Sequence, residues 1–428
     1  MTDQHITIPD GWKEATLGDM AVINPTESLR KGVIAKCVAM EKLDTFTRKI
    51  SKYEVKEFNG GMKFRNGDTL LARITPCLEN GKTAYVDFLG DGEIGFGSTE
   101  YIVIREKDGM SDKKFLYYLS VSPRFREIAI KAMTGTSGRQ RVQTDLLVNK
   151  NQFFPPFAEQ KTIAAVLSSF DDKIELLRTQ NKTLENIAQT LFKHWFVDFE
   201  FPNKDGKPYK SSGGKMVDSE LGEIPEGWQI KTIEEITLKV TKGTTPTTIG
   251  GKFSVRGINF IKAESITDHC SFESSKFSHI DFETNKLLIR SVIEEGDLLY
   301  SIAGTIGRYA IVPNYILPGN TNQAVAIIRA DTKITDPFYL QCIFSLPTVK
   351  ESLFGNIVEA VQANLSLSSI KNCKIILPDK IGVNLFVTKI RVLFDKITQN
   401  NLQIQTLSKI RDTILPKLMK GEIRVNNL

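Results

Sequence analysis

The chain has 428 residues, of which 41% are hydrophobic and 25% are charged, as in ordinary soluble globular proteins. Its length suggests two or more domains, and its formal net charge of +6 permits a polyanionic partner such as nucleic acid without establishing one. No apolar run approaches the length of a membrane span, and the N-terminus lacks the basic and apolar regions of a signal peptide. We therefore expect a cytoplasmic protein with no membrane partner.

The first predicted domain, residues 1–155, opens with Pro9-Asp10-Gly11-Trp12 and contains signals for both strands and helices. Short runs of β-branched and aromatic residues, such as 101–104, are bounded by glycines and polar turns and predict strands. A helix is predicted over 115–132, after an Asp start signal. This region is therefore expected to be mixed α and β.

Residues 156–200 predict one long amphipathic helix with a heptad repeat. Nine of the ten a and d positions are apolar, which is the pattern of a helix that packs against one partner helix. The a positions are Ile163, Phe170, Leu177, Leu184 and Leu191, and the d positions are Leu167, Ile174, Asn181, Ala188 and Trp195. We interpret this segment as one strand of a coiled coil.

The second part of the chain repeats the first. Residues 201–223 are rich in Gly, Ser and Lys and predict a linker. Residues 224–377, the second predicted domain, open with Pro225-Glu226-Gly227-Trp228 and predict a helix over 337–354. Residues 378–428 predict the second long helix, whose heptads match those of the first after a shift of 223 residues. A shared register of this length indicates a duplicated unit.

The duplication predicts an α+β protein with two similar mixed α/β domains, separated by two long antiparallel helices that form a coiled coil with a pseudo-twofold internal repeat. In this register Asn181 faces Asn400, and a buried Asn pair sacrifices stability to define register. The alternative is that each Asn borders a water-filled gap. The residues expected to pair the helices are Leu177, Asn181, Leu184, Asn400, Ile404 and Leu407.

Motifs for catalysis and metal binding are absent from the sequence. There is no phosphate-binding P-loop, no His-Glu-x-x-His and no Gly-x-Ser-x-Gly. The segment Gly95-Phe96-Gly97-Ser98-Thr99 is interpreted as a turn or bulge rather than a cofactor loop, and His194 near a helix end is assigned no chemistry. Five scattered cysteines without a Cys-x-x-Cys pair indicate neither a zinc site nor a disulfide framework. We therefore predict no catalytic residue and no metal ligand.

Binding loops are the remaining candidates for function. Polar loops in both halves carry Lys and Arg, which suit phosphates and guanine edges, and Asn and Gln, which suit adenine. The candidate DNA-binding residues are Arg30, Lys31, Lys82, Arg139, Arg141, Gln143, Lys242, Thr244, Lys252, Arg308 and Asn322. Any one of these loops could equally be a solvated turn.

The arrangement resembles the specificity subunit of type I restriction-modification enzymes over the full chain. The resemblance is carried by the Pro-x-Gly-Trp openings, by residues 67–74, by Pro155-Pro156-Phe157-Ala158-Glu159-Gln160 and by the C-terminal segment 414–423. One departure is visible, because Glu159-Gln160 corresponds to Gly382-Val383 in the second copy. The second helix is therefore expected to start differently or to contact its partner subunit differently.

The resemblance implies two target-recognition domains, each reading one half of a split sequence in double-stranded DNA. It implies no cofactor on this chain. Methylation of adenine with S-adenosylmethionine would belong to modification subunits, expected in two copies, and cleavage with ATP and Mg²⁺ would belong to restriction and translocase subunits. A helix of roughly 38 residues spans about 57 Å, so helix length would set the spacer between the half-sites.

Two other functions compete with DNA recognition. One is a coiled-coil scaffold or adaptor that binds proteins, and the other is a self-contained methyltransferase, which the missing motifs disfavour. Differences between the loops of the two halves predict an asymmetric target. The sequence leaves open the bases recognised, the spacer length, the loop residues that touch bases and the presence of a restriction subunit.

Overall fold

A computed structural model of the chain describes residues 8–136, 138–355 and 364–425. It divides into two compact units. Unit 1 comprises Met1–Glu175 and Thr406–Leu428, and unit 2 comprises Leu176–Gln405. Each unit contains strands and helices together with part of both long helices, which confirms the prediction of mixed α and β regions carrying two long helices. Among the described residues, no helix has both the length and the apolar character that a membrane crossing requires.

Unit 1 is built from short strands, a few short helices and the first long helix. In chain order its strands are β1 (Lys13–Thr16), β2 (Ala21–Ile23), β3 (Ile34–Val38), β4 (Glu54–Glu57), β5 (Met62–Phe64), β6 (Thr69–Ala72), β7 (Thr83–Tyr85), β8 (Gly95–Gly97), β9 (Tyr101–Glu106), β10 (Met133–Thr134), β11 (Arg141–Val142) and β12 (Asn151–Phe154). Its helices are α1 (Leu17–Met20), α2 (Lys113–Val121), α3 (Pro123–Lys131), α4 (Thr144–Val148) and α5 (Phe157–Phe196), the last of which continues into unit 2.

Unit 2 repeats this plan and contributes the second long helix. Its strands are β13 (Met216–Val217), β14 (Ile224–Pro225), β15 (Gln229–Thr232), β16 (Thr237–Lys242), β17 (Phe253–Ser254), β18 (Ile258–Ile261), β19 (Ser278–Ile280), β20 (Val292–Ile293), β21 (Leu298–Ser301), β22 (Tyr309–Ile311), β23 (Gly319–Thr321), β24 (Val325–Ala330) and β25 (Lys374–Leu377). Its helices are α6 (Phe282–Leu287), α7 (Pro337–Ser345), α8 (Pro347–Phe354), α9 (Leu367–Lys371) and α10 (Lys380–Leu418), the last of which ends in unit 1.

Each unit has a central antiparallel sheet of four strands, ordered β2-β9-β6-β7 in unit 1 and β16-β24-β21-β22 in unit 2. Successive residues of β9 point to opposite faces of the sheet. Ile102 and Ile104 lie in the core shared with α2, whereas Tyr101 and Val103 lie in a second core beneath the neighbouring sheet β4-β3-β8-β5. Because both faces are buried, residues 101–104 of β9 are continuously apolar rather than alternating.

The two predicted short helical regions are each interrupted by a proline. Residues 115–132 form α2 and α3, which break at Ser122-Pro123, and residues 337–354 form α7 and α8, which break at Leu346-Pro347. A proline lacks the N–H that would continue the preceding helix, but it is tolerated in the first turn of the next helix. The sequence analysis missed these breaks because the apolar residues continue across them.

A repeated ion pair explains the Gly-Asp motif that both halves share. Asp68 is fully buried and accepts two hydrogen bonds of 2.7 Å from Arg105. Asp297 in unit 2 accepts equivalent bonds of 2.7 and 2.8 Å from Arg329. In both units this carboxylate connects a strand to its neighbour in the central sheet, so the motif supports the fold and is not a binding loop.

The long helices pack against each other inside each unit. In unit 1, Ile163 and Leu167 of α5 share a core with Leu415 and Leu418 of α10. In unit 2, the ring centroid of Phe192 on α5 lies 5.6 Å from that of Phe386 on α10. Later residues of α5 thus meet earlier residues of α10, so the helix segments run antiparallel. Both helices also start at equivalent positions, Phe157 and Lys380, despite the change from Glu159-Gln160 to Gly382-Val383.

The change from Glu159-Gln160 to Gly382-Val383 alters the contacts around the N-terminus of each long helix. In unit 1, Glu159 accepts hydrogen bonds of 2.7 and 2.9 Å from Arg424 and one of 3.2 Å from Trp12 Nε1. Unit 2 has Gly382 at the corresponding place, and Trp228 stacks on Phe201 with ring centroids 4.8 Å apart. Phe201 belongs to the predicted linker, so part of that segment packs against the core of unit 2, to which it belongs, and its composition did not predict this packing.

Candidate nucleic-acid interface

Three loops of unit 1 lie side by side. The N–H of Thr75 donates to the carbonyl of Gln140 over 3.0 Å, and the N–H of Phe46 donates to the carbonyl of Gly81 over 3.0 Å. These bonds join segments that are far apart in the sequence. We call the result the unit 1 loop surface, which consists of residues 44–48, 73–82 and 135–143 apart from 137.

Most of the cations on the unit 1 loop surface, which include the predicted Lys82 and Arg141 and also Arg73, already have protein partners. Arg141 lies 2.8 Å from Glu100, and Arg73 lies 3.6 Å from the same carboxylate. Lys82 Nζ donates to the carbonyl of Met40 over 2.8 Å. Two guanidinium groups on one carboxylate leave a net positive charge that is held in place, which suits an anionic ligand.

The other predicted residues of unit 1 differ in position. Arg139 is exposed on the loop surface, and its side chain has no hydrogen-bond or ion-pair partner in the part of unit 1 that the structure describes. Gln143 donates to the hydroxyl of Thr134. Arg30 and Lys31 are exposed before the start of β3, whereas the loop surface adjoins Met40 beyond the end of that strand. The structure therefore groups Lys82, Arg139, Arg141 and Gln143 and leaves Arg30 and Lys31 apart.

The predicted loops of unit 2 meet where the backbone of Gly243 lies close to that of Thr321. A Cβ on Gly243 would lie only 1.9 Å from the carbonyl oxygen of Thr321, so this position requires glycine. Thr245 then donates to the side chain of Gln323, and the N–H of Ile302 donates to the carbonyl of Ala324 over 2.8 Å. The unit 2 loop surface consists of residues 242–245, 302–308 and 320–324.

Four predicted residues of unit 2 belong to this surface. Arg308 pairs with Asp268 through bonds of 2.7 and 3.0 Å, Lys242 is exposed, and Thr244 is partly buried. Asn322 accepts a bond of 3.2 Å from the N–H of Ala324. The fifth, Lys252, is exposed near the start of α6, where its Nζ lies 4.0 Å from Asp281. The structure places Lys252 outside the grouped loops.

Sequence reasoning missed Arg73 and Phe46 on the unit 1 loop surface, and it missed Arg126, which packs on Phe46 from outside that surface. The guanidinium of Arg126 lies 4.9 Å from the ring centroid of Phe46, and its NH2 group donates to the carbonyl of Glu79 over 2.9 Å. Arg126 comes from α3, so only the fold brings it to this surface. Phe46 is an apolar residue in a polar segment. A search for hydrogen-bonding side chains does not find such a residue.

A buried carboxylate lies in a small cavity of unit 2. Glu185 of α5 lines this cavity together with Gln341 and Cys342 of α7, Tyr309 and Cys270. Its Oε1 is buried and has no hydrogen-bond partner among the residues that the structure describes. Burial raises the pKa of Glu185 to about 7, because the loss of hydration disfavours the charged carboxylate.

Of the residues expected to pair the helices, Asn181 and Asn400 are hydrogen-bonded to each other within unit 2. Asn400 Nδ2 donates to Asn181 Oδ1 over 2.8 Å, and Asn181 Nδ2 donates to the side chain of Asn401 over 2.8 Å. Leu177 is buried, Leu184 packs against the core of unit 2, and Ile404 is partly buried. Leu407 lies just past the boundary, in unit 1, and is also partly buried.

No metal-binding site is evident in the part of the chain that the structure describes. Across residues 8–136, 138–355 and 364–425, no three or more His, Cys, Asp or Glu side chains are grouped so that they could hold a metal ion.

Comparison with protein families identifies both halves of the chain. The family model for the type I restriction modification DNA specificity domain matches twice, over residues 9–186 and 225–406. Each match covers the region between a Pro-x-Gly-Trp opening and part of the following long helix. The match therefore follows the duplication.

Individual relatives carry the same description. The specificity subunit of the MjaIX type I restriction enzyme from Methanocaldococcus jannaschii is 32% identical over 75% of this chain and 71% of its own length. The HindI specificity subunit from Haemophilus influenzae is 25% identical over 96% of this chain and 99% of its own length. The crystal structure of the type I restriction-modification S subunit from M. genitalium is similar in fold, with a TM-score of 0.52 and 15% identity over 100% of this chain and 99% of that one.

The buried Glu185 predicts a pH dependence of stability. A carboxyl group whose pKa is higher in the folded than in the unfolded chain favours folding when it is protonated, so stability falls as pH rises from about 4.5 to about 7. The thiol of Cys270 in the same cavity does not titrate in this range, because burial raises its pKa to about 12. We expect Glu185→Gln to raise the free energy of unfolding at pH 8 by on the order of 1 kcal/mol, and to have little effect at pH 5.

Urea unfolding of the full chain at both pH values measures this difference. Glu175→Gln on the same helix, where the carboxylate pairs with Lys49 near the surface, is the control and should show no such gain at pH 8. An equal or lower stability of Glu185→Gln at pH 8 would contradict the prediction.

Proposed function

Because this chain belongs to the family of type I restriction-modification specificity subunits, it is a DNA-recognition subunit, and we propose that it reads a split, asymmetric target with one half-site for each unit. One observation carries the proposal: the DNA specificity domain occurs twice, over residues 9–186 and 225–406, and each copy carries its own loop surface. A coiled-coil adaptor that binds only proteins is not favoured, since both globular halves match a DNA specificity domain.

The chemistry of the two loop surfaces supports different half-sites. Unit 1 presents two guanidinium groups, Arg73 and Arg141, on a shared carboxylate, whereas unit 2 presents one, Arg308 on Asp268, together with a hydroxyl and an amide at Thr245 and Gln323. Guanidinium groups suit guanine edges and phosphates, and amides suit adenine. The proposed DNA contacts are Arg30, Lys31, Lys82, Arg139, Arg141 and Gln143 in unit 1, and Lys242, Thr244, Lys252, Arg308 and Asn322 in unit 2.

We assign the chemical steps to other subunits. Modification subunits with S-adenosylmethionine would methylate adenine, and restriction subunits with ATP and Mg²⁺ would translocate and cleave DNA. The role of this chain is then to place those subunits on the target, in the cytoplasm where the DNA lies. Two modification subunits would match the two copies of the specificity domain.

An exposed apolar face on α10 supports a protein partner on unit 2. Ile381, Leu385 and Val392 are 77%, 44% and 64% exposed, and their spacing of four and seven residues places them on one face of the helix. We call this face the α10 stripe. Apolar side chains in a contiguous exposed row commonly mark a protein interface. We propose that a modification subunit packs on the α10 stripe.

A charge on the α10 stripe should disrupt binding of the modification subunits. Ile381→Lys is expected to abolish or strongly weaken copurification of modification subunits with this chain, because it places a charge in an apolar interface. Ile289→Lys, at an Ile that is 72% exposed but lies outside the long helices, is the matched control and should copurify normally. Undiminished copurification of the Ile381→Lys chain would rule out this docking surface.

Methylation mapping tests the proposed function as a whole. Single-molecule sequencing of adenine methylation would compare cells that contain this chain and its modification subunits with cells that contain the modification subunits alone. We expect a two-part motif with different halves that disappears when the chain is absent. A motif that persists without the chain, or a single continuous motif, would contradict the proposal.

A further inference from the structure

Phe46 of the unit 1 loop surface is both exposed and conformationally unusual. It is 59% exposed, and its backbone lies in the left-handed region with φ of +53°. A bulky residue rarely adopts this conformation, because Cβ then crowds the backbone. Such residues persist where the surroundings hold them, and they cluster at ligand-binding sites. Burial of the Phe46 side chain does not compensate for the steric cost of the positive φ, since most of the residue remains exposed.

The surroundings hold the Phe46 ring in one place. The N–H of Phe46 donates to the carbonyl of Gly81 over 3.0 Å, and a Cβ on Gly81 would lie 2.5 Å from the ring, so the ring rests on a bare backbone. The guanidinium of Arg126 lies 4.9 Å from the ring centroid and is itself fixed by its bond to Glu79. The ring is thus supported from the protein side and open towards solvent.

The loop that carries Phe46 is also anchored at its other end. Arg48 pairs with Asp172 of α5 and donates to the hydroxyl of Tyr118 over 3.4 Å, with only 12% of its side chain exposed. The N–H of Tyr85 donates to the carbonyl of Arg48 over 2.9 Å. All of these residues belong to unit 1. An aromatic side chain on a rigid loop loses little entropy when it binds, which is a property of residues that dominate interfaces.

Unit 2 also has a residue with positive φ after the corresponding short helical turn, but that residue carries no ring. Phe46 follows the short helical turn Met40–Lys42, and Cys270 follows the corresponding turn Ala263–Ser265. Cys270 also has a positive φ, of +47°, but its side chain lines the Glu185 cavity inside unit 2. A positive φ after this turn therefore occurs in both units, and among the described residues the exposed ring at that position belongs to unit 1. A base contact that is made in one half-site only fits this difference.

The neighbours of Phe46 indicate which ligand the ring would meet. The surface around it carries Arg73, Arg139 and Arg141, which suit phosphates and base edges, and Phe46 is an apolar group among them. The apolar group that a base presents in the major groove is the methyl of thymine, and Phe is one of the side chains that contacts it. We propose that Phe46 reads a thymine methyl group in the half-site of unit 1, an inference that rests on the proposed function.

Removal of the Phe46 ring and removal of the thymine methyl group should weaken DNA binding to the same extent. The full chain with its modification subunits is tested on duplexes in which each thymine of the unit 1 half-site is replaced, one at a time, by deoxyuridine. For the wild-type chain we expect one replacement to weaken binding about threefold to fivefold, as the loss of one buried methyl group predicts. The Phe46→Gly chain should bind the unmodified duplex more weakly and be insensitive to that same replacement.

Stability and two control variants separate recognition from folding. Phe46→Gly should unfold at a temperature no lower than the wild type, because glycine adopts this φ without steric cost. Phe46→Tyr retains the ring and should retain sensitivity to the methyl group. Phe282→Ala removes a Phe of unit 2 that is 68% exposed and should leave the unit 1 half-site unaffected.

Three results would overturn the inference. The first is that no deoxyuridine replacement distinguishes the wild type from Phe46→Gly, and the second is that the unit 1 half-site contains no thymine on either strand. The third is that Phe46→Gly lowers stability and weakens binding to both half-sites equally, which would indicate a structural role. A wild-type complex without preference for a split target would instead refute the proposed function, and this inference with it.

Discussion

Antiparallel packing of α5 against α10 is the interaction on which both recognition units depend. Unit 1 needs Leu415 and Leu418 from the end of the chain to complete the core around Ile163 and Leu167. Unit 2 needs Phe192 and its neighbours from α5 to fill the core around Phe386. Neither unit can therefore form its core from its own globular segment alone. The two helices are part of each domain, and the boundary between units falls within the helices rather than at their ends.

Polar groups within this apolar packing differ between the units. In unit 1, Arg411 occupies a core heptad position and lies 2.5 Å from Asp171, whose other oxygen accepts a bond of 2.6 Å from Tyr118. In unit 2, Asn400 and Asn181 are bonded to each other, while Glu185 has a buried oxygen without a partner among the described residues. A buried ion pair or amide pair forms in only one register of the two helices, so these contacts favour a single alignment. Both units use the same helix packing, but the polar groups buried in that packing differ between them.

The repeat was predictable from sequence because it rests on periodicity. Heptad spacing located both long helices, and the apolar run at 101–104 located β9 to within two residues at each end. Long-range pairing was not predictable. Asp68 and Arg105 are far apart in sequence, and only the order of strands in the sheet shows that the Gly-Asp motif is structural. Likewise, nothing in the sequence shows that Arg308 pairs with Asp268. Phe46 required the structure, since its exposure and backbone conformation carry the inference.

Cross-linking would test the central claim, that each unit reads its own half-site, most directly. Duplexes of the methylated target would carry bromodeoxyuridine in one half-site at a time and be irradiated in complex with the full chain and its modification subunits. The cross-linked peptides would then be identified by mass spectrometry. We expect one half-site to cross-link to residues of the unit 1 loop surface and the other to residues of the unit 2 loop surface. Cross-links from a single half-site to both loop surfaces, or to neither, would contradict this account.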